Sequence, residues 1–105
     1  MKKIALAVLA FSILNETSFA AVTNTGVLTV SAIKSQVNDG TYFHYHFSGD
    51  FGSASACNDS NNWPINSNNP AINQVLQTAY ITGVSFKAGI DNTSGCIVTT
   101  VELQP

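Results

Sequence analysis

Two histidines, His44 and His46, come closest among the residues of this chain to the pattern of a metal site. They lie in the segment 41–47, whose alternation is typical of a β-strand, so both side chains point to one face about 7 Å apart. Such a pair can hold Zn²⁺ or Cu²⁺ when a neighbouring strand supplies a third ligand. The sequence has no third histidine, and polar residues on the exposed face of a hairpin explain the pattern more simply. We therefore expect no metal and no cofactor, with the His44–His46 site as the alternative.

A second candidate is Trp63, which lies among asparagines in the turn-rich segment 58–69. Its ring could form a platform for a pyranose, while the amides of Asn61, Asn62 and Asn66 bind the sugar hydroxyls. The alternative is a tryptophan that folds back, buries its ring to anchor a long loop and finds one partner for its N–H. The sequence leaves both interpretations open.

The acidic residues and serines do not form a pattern that predicts catalysis. Asp39, Asp50, Asp59 and Asp91 all lie in predicted turns, where Asp stabilises the backbone by accepting hydrogen bonds from it. No serine lies in a GxSxG motif that would supply a nucleophile. We expect a protein that is not an enzyme.

The first twenty residues have the three parts of a secretory signal peptide. Lys2 and Lys3 precede an apolar run over 4–14, and small residues at Ser18 and Ala20 predict cleavage after Ala20. The apolar run is shorter than the ~20 residues that a membrane-spanning helix needs. The expected location is therefore the periplasm or the outside of a bacterial cell, without membrane insertion.

The mature chain over 21–105 has the length of one domain and is acidic. It contains two lysines, Lys34 and Lys87, no arginine and five carboxylates, for a net charge of −3. Nucleic acids and anionic lipids both require clustered basic residues. Neither is therefore an expected partner.

Cys57 and Cys96 are the two cysteines of the chain. An exported domain of this size has a small core and commonly adds a disulfide. The loop that the bond closes, of about 40 residues, corresponds to roughly 4 kcal/mol of stabilisation in the chain-entropy model. We expect a structural disulfide, since a metal-bound thiol pair would need closer spacing.

The elements that position these residues are predicted to be mostly β-strands. Alternating apolar residues and turn signals predict strands over 26–37, 41–47, 53–57, 84–90 and 96–103. Asn38-Asp39-Gly40 predicts a hairpin turn between the first two strands.

One amphipathic helix interrupts the strands. Apolar residues spaced by three and four predict a helix after Asn69, with Pro70 at its first position and Gly83 just beyond its end. The expected fold is mainly β with one α-helix: a small five-stranded OB-fold-like barrel, with the helix between strands 3 and 4.

Short pieces spread over nearly the whole mature chain resemble one family of exported proteins. They are Tyr42-Phe43, Ala56-Cys57, Trp63, Gln77-Thr78-Ala79-Tyr80 and Thr82-Gly83-Val84-Ser85. With them the chain resembles the B subunit of subtilase-type AB5 cytotoxins and the small secreted proteins similar to it. It departs from them in its cysteine placement, in His44 and in a short segment before the first strand, so no sugar-binding residue is carried over from the family.

The resemblance implies a homopentamer of small barrels whose helices surround a pore and whose outer surface binds sialylated glycans for a toxic A subunit. In such a ring Asn73, Gln74 and Gln77 of the helix would face the pore or a neighbouring subunit. The expected function is a secreted, non-catalytic binding module with a glycan and a toxin A subunit as partners. The alternative is a stand-alone secreted or periplasmic domain of structural or inhibitory role, without a toxin partner.

Overall fold

The computed structural model describes residues 22–105, so the predicted signal peptide over 1–20 lies outside the described residues. The strands are β1 Val22–Asn24, β2 Leu28–Ser35, β3 Phe43–Gly49, β4 Ile65–Ser67, β5 Phe86–Asp91 and β6 Cys96–Leu103. In the same range one α-helix, α1, spans Pro70–Thr82, and 3-10 helices span Val37–Asp39 and Gly52–Cys57. The expectation of a mainly β chain with one α-helix is confirmed.

The six strands form one sheet in the order β1-β5-β2-β3-β4-β6, and β5 also pairs with β6. The pairing of β4 with β6 is parallel, whereas the others are antiparallel. β1 and β2 follow one another along the same edge of β5, where Asn24 lies opposite Gly89 and Leu28 opposite Phe86. The predicted count of five strands is wrong, because β1 precedes the segment 26–37 as a separate strand.

Thr25 explains how β1 and β2 stay on β5 although the strand is interrupted between them. It is buried, and its backbone N–H donates to the carbonyl oxygen of Ala88 at 2.9 Å. Its Oγ1 accepts from the N–H of Ala88, also at 2.9 Å. The Thr25 hydroxyl thus accepts the hydrogen bond that a backbone carbonyl would accept in a regular ladder. Alternation of apolar residues in the sequence does not predict this substitution.

The third predicted strand, over 53–57, is wrong, since this segment belongs to the 3-10 helix Gly52–Cys57. Gly52 begins it with a φ of +56°, a conformation that glycine adopts at little cost. The segment has a kink at Ala54, whose φ of −94° and ψ of 28° are not helical, and Ala54 and Cys57 are both buried. The small residues that predicted a closely packed strand instead let a tight turn pack on the core.

The strand that precedes the helix is β4, which lies inside the segment predicted as a loop. Ile65 and Ser67 are buried, whereas Asn66 between them is partly exposed. β4 pairs with β3 on one side and with β6 on the other. Three residues are too few for an alternation signal, so this strand is specified by its neighbours in the sheet.

β3 supplies the centre of the core, as its alternation predicts. Tyr45 and Phe47 are buried, and Phe43 packs at the margin of the core. The ring of Phe47 meets that of Phe86 edge-on, with centroids 4.9 Å apart. The opposite face of β3 carries His44 and His46, so the strand separates the core from the candidate site.

The helix has the ends that its sequence predicts. Asn69 Oδ1 accepts from the backbone N–H groups of Ala71 at 2.9 Å and Ile72 at 3.1 Å. Gly83 ends the helix with a φ of +73°, the left-handed conformation usual at this position. Leu76 and Ala79 are buried, and the helix packs against β2 and β6.

Cys57 and Cys96 form the predicted disulfide. Both residues are buried, one at the end of the 3-10 helix and the other at the start of β6. Cys96 also lies opposite Ile65 in the parallel pairing of β4 with β6. The segment 58–64 is therefore anchored at both ends next to the same residue.

Candidate functional site

Three adjacent strands bring the polar candidates together on one side of the sheet. His44 lies opposite Lys34 of β2 and opposite Asn66 of β4. His46 lies two residues further along β3 and therefore on the same face as His44. Trp63 covers this face from the segment 58–64. We refer to Lys34, His44, His46, Trp63 and Asn66 as the histidine face.

His44 links two loops to the sheet through both of its ring nitrogens. Its Nδ1 lies 3.0 Å from the carbonyl oxygen of Trp63, and its Nε2 lies 3.1 Å from Asp39 Oδ2. Neither partner carries a hydrogen when Asp39 is ionised, so a neutral imidazole donates to one of them and a doubly protonated ring donates to both. Asp39 thus contacts His44 in addition to lying in its predicted turn.

Trp63 folds back onto the sheet, as in the second of the two interpretations, but its indole N–H makes no hydrogen bond within residues 22–105. Its ring stacks on the imidazole of His46 with centroids 3.6 Å apart and planes 12° from parallel. Lys34 Nζ lies 4.9 Å from the centre of the Trp63 ring, within the range of a cation–π contact. His46 Nε2 is enclosed and has no hydrogen-bond partner in the described part of the chain. Trp63 remains partly exposed.

The asparagines near Trp63 mostly shape the loop. Asp59 Oδ1 accepts from the backbone N–H of Asn61 at 3.0 Å and of Asn62 at 3.3 Å, and its Oδ2 accepts from Asn62 Nδ2 at 2.9 Å. The hydrogen bond from the Asn62 side chain, followed by the two backbone bonds, lowers the pKa of Asp59. Asn66 Nδ2 donates to the carbonyl oxygen of Pro64 at 3.0 Å. Of the three amides predicted to bind sugar, that of Asn61 makes no hydrogen bond within residues 22–105.

A cavity of about 160 Å³ lies beside the stacked rings of His46 and Trp63. Its apolar lining consists of the buried residues Phe47, Phe51, Cys57 and Ile65. Its polar lining consists of Ser31, His46, Ser48, Asn58, Asp59 and Ser60. Sequence reasoning missed this cavity because its walls come from β2, β3, β4, the second 3-10 helix and the loop after it. The run of polar residues over 58–60 is the one feature of the local sequence that coincides with the cavity lining.

The helix residues predicted to form an oligomer face do not share one environment. Asn73 is only 5% exposed, its Oδ1 accepts from the Tyr45 hydroxyl at 2.7 Å, and its Nδ2 donates to the carbonyl oxygen of Ser67 at 3.1 Å. Gln74 is exposed and Gln77 is partly buried. Asn73 therefore belongs to the interior rather than to the exposed polar face that helical spacing predicted.

The buried hydroxyl of Tyr45 is held in its neutral form. Burial raises the pKa of Tyr45 to about 12, and a hydrogen bond with Gln77 acts in the opposite direction to a smaller extent. The hydroxyl consequently donates to Asn73 over the whole neutral range of pH.

Three of the four turn aspartates have the role that their position predicts. Asp50, Asp59 and Asp91 each accept from a backbone N–H two residues further along the chain. Within 22–105 there is no cluster of three or more His, Cys, Asp or Glu side chains that could hold a metal ion. Both nitrogens of His44 are already engaged, as described above.

Over residues 22–105, none of the helices combines the length and the apolar character that crossing a membrane requires. Comparison with models of protein families, with curated proteins and with solved structures gave no match to this chain.

Proposed function

We propose that this chain is a secreted, non-catalytic module that binds glycans through its histidine face. The observation that carries the proposal is the grouping of two imidazoles, an ammonium and an amide on adjacent strands with the Trp63 ring, which stacks on one of the imidazoles from the segment 58–64. Sugars are bound by such combinations, because their C–H groups pack on aromatic rings while their hydroxyls need donors and acceptors.

The connectivity of the sheet supports an OB-fold-like barrel as the framework of this site. When β1 and β2 are counted as one interrupted strand, each of the resulting five strands has two neighbours, and the helix follows the third. OB-folds bind oligonucleotides and oligosaccharides on their second and third strands and on the loop between the first two. Here β3 and β4 carry His44, His46 and Asn66 of the histidine face. The loop between the first two strands carries Asp39, which contacts His44.

The charge of the chain favours an oligosaccharide over an oligonucleotide. Lys34 and Lys87 are the two basic residues of 22–105 other than the histidines, and they lie on β2 and β5 respectively. A nucleic acid would require several phosphate contacts. A glycan requires none.

The resemblance to AB5 toxin B subunits extends the proposal to a ring of subunits and a toxin A subunit as partner. The end of the helix supports self-association, because Tyr80 is 48% exposed and Ile81 is 81% exposed. Two large apolar side chains in consecutive positions form a surface that a neighbouring subunit could cover. In this arrangement Gln74 and Gln77 lie at the contact, and Asn73 does not.

A stand-alone domain of structural or inhibitory role is the second candidate. It is favoured by the hydrogen bonds of Asn73 with Tyr45 and Ser67. These bonds lie inside one subunit, so Asn73 does not face a neighbouring subunit. A monomer at all workable concentrations in light scattering, together with an empty glycan array, would establish this candidate and remove the first.

The test of the first candidate compares two lysine variants and one tryptophan variant on a glycan array. Lys34 lies over Trp63, whereas Lys87 is exposed on β5 opposite Glu102. Trp63→Ala and Lys34→Ala should weaken glycan binding, and Lys87→Ala, which removes the same charge, should leave it unchanged. Equal signals from all three variants and the native protein would contradict a site on the histidine face.

A further inference from the structure

The cavity beside the His46–Trp63 stack has a shape and a lining that the histidine face itself lacks. It lies between β2 and β3 on one side and the segment 51–60 on the other, and its volume is about 160 Å³. At ~30 Å³ for each water molecule, this is room for roughly five waters. A single six-membered sugar ring is of about this size, so the cavity has room for one ring of a glycan whose other rings lie outside it.

The lining is apolar on one side and polar on the other. Phe47, Phe51 and Ile65 form a buried apolar base. Ser48, Asn58 and Ser60 stand around it with exposed side chains that make no hydrogen bond within the described part of the chain. A pyranose has matching surfaces, because its ring carries a C–H face and a rim of hydroxyls.

The charge at the cavity decides between neutral and acidic sugars. Asp59 lines it as a carboxylate that three donors from Asn61 and Asn62 hold in place. A carboxylate has about four acceptor positions, so one is free to accept from a sugar hydroxyl. The same charge repels the carboxylate of an acidic sugar, and Lys34 is not among the residues that line the cavity.

We propose that this cavity binds one neutral hexose ring, the terminal residue of the glycan, with the C–H face of the ring toward the apolar lining. Asp59 accepts from one sugar hydroxyl, Asn58 Nδ2 donates to another, and the hydroxyl of Ser48 contacts the rim. This assignment rests on the proposed glycan-binding function, and it replaces the sialylated ligand that the family resemblance implies with a neutral one.

The chain offers a matched control for the charged residue. Asp91, like Asp59, caps an exposed turn by accepting from a backbone N–H two residues on, and in both cases these hydrogen bonds lower the pKa of the carboxyl. Asp59→Asn and Asp91→Asn therefore make the same change of charge at comparable turns, but only Asp59 lines the cavity. Ser48→Leu provides a second variant that fills the cavity from an exposed position.

The experiment titrates the native protein and the three variants with the methyl glycosides of glucose, galactose and mannose, followed by amide NMR shifts. We expect one glycoside to shift the amides of Ser48, Asn58 and Asp59, to bind about tenfold more weakly to Asp59→Asn and to be lost in Ser48→Leu. Asp91→Asn should bind as the native protein does. The amide spectrum of each variant shows whether it is folded.

A glycan array with neutral and sialylated termini separates the two proposals. Binding to neutral termini that Asp59→Asn and Ser48→Leu reduce supports both. Binding that these variants leave unchanged, or binding confined to sialylated termini, overturns the cavity assignment and leaves glycan binding standing. An array without any signal overturns the proposed function and the cavity assignment together.

Discussion

The hydrogen bonds of Asn73 join the helix to two strands in the interior of the protein. The Tyr45 hydroxyl donates to Asn73 Oδ1, and Asn73 Nδ2 donates to the carbonyl oxygen of Ser67. All three residues are less than a tenth exposed. Buried polar groups of this kind contribute little while paired and cost much more when one partner is removed.

Replacing Asn73 by alanine should lower the free energy of unfolding by about 1–3 kcal/mol, because it removes the acceptor of the Tyr45 hydroxyl and the side-chain donor to the Ser67 carbonyl. Gln74→Ala is the control, since Gln74 is the exposed neighbour on the same helix and should change the stability by less than about 0.5 kcal/mol. Urea unfolding followed by circular dichroism measures both. Equal stabilities of the two variants would show that the network does not hold the helix.

The raised pKa of Tyr45 predicts a loss of stability at alkaline pH. Between pH 10 and about 12 the unfolded chain releases the Tyr45 proton while the folded chain keeps it. The free energy of unfolding should therefore fall as the pH rises through this window, by at most ~1.4 kcal/mol per pH unit. Below it this residue contributes no pH dependence.

Urea unfolding just below pH 10 and just below pH 12 compares the native protein with Tyr45→Phe. The phenylalanine variant should be less stable just below pH 10, because Asn73 loses a partner, but its stability should fall less between the two pH values. An identical fall in both proteins would assign the effect to other groups.

At the scale of elements, the segment 58–64 owes its conformation to contacts with the sheet. Its backbone is bound by His44, its tryptophan stacks on His46, and Asp59 shapes its first turn. These contacts are long-range, apart from the turn. The ordering of the segment should therefore depend on Trp63.

Trp63→Ala should increase amide hydrogen exchange in 58–64 roughly threefold to tenfold, because a stacked ring pair contributes about 0.5–1.5 kcal/mol. Exchange in the helix over Pro70–Thr82 should be unchanged. Tyr80→Ala is a control that removes an exposed aromatic ring far along the sequence from this segment. Unchanged exchange in 58–64 would mean that the backbone contact with His44 orders the segment alone.

These elements also separate what can be predicted from sequence from what cannot. The helix is predicted to within a residue because Asn69, Pro70 and Gly83 act locally at its ends. β4 and the 3-10 helix over Gly52–Cys57 are not, since both depend on pairing or packing with distant segments. Likewise the spacing of His44 and His46 predicts a shared face, but not which loop covers it.

For the whole molecule, the disulfide and the parallel pairing of β4 with β6 act at one point. Cys96 is bonded to Cys57 and lies opposite Ile65. The two ends of the segment 58–64 are consequently fixed to the same place on β6. The stability of the sheet and the order of the candidate site thus depend on a shared connection.

Replacing both cysteines by serine should lower the free energy of unfolding by up to about 4 kcal/mol, because the bond spans 39 positions and restricts the unfolded chain. It should also increase hydrogen exchange in 58–64 more than in the helix, since the start of that segment loses its anchor while Ile65 keeps its pairing. The matched control is the native protein treated with a reductant, which should behave as the double variant does. If exchange rises equally in both regions, the disulfide stabilises the chain only by restricting its unfolded state, and the candidate site is held by the sheet and Trp63 alone.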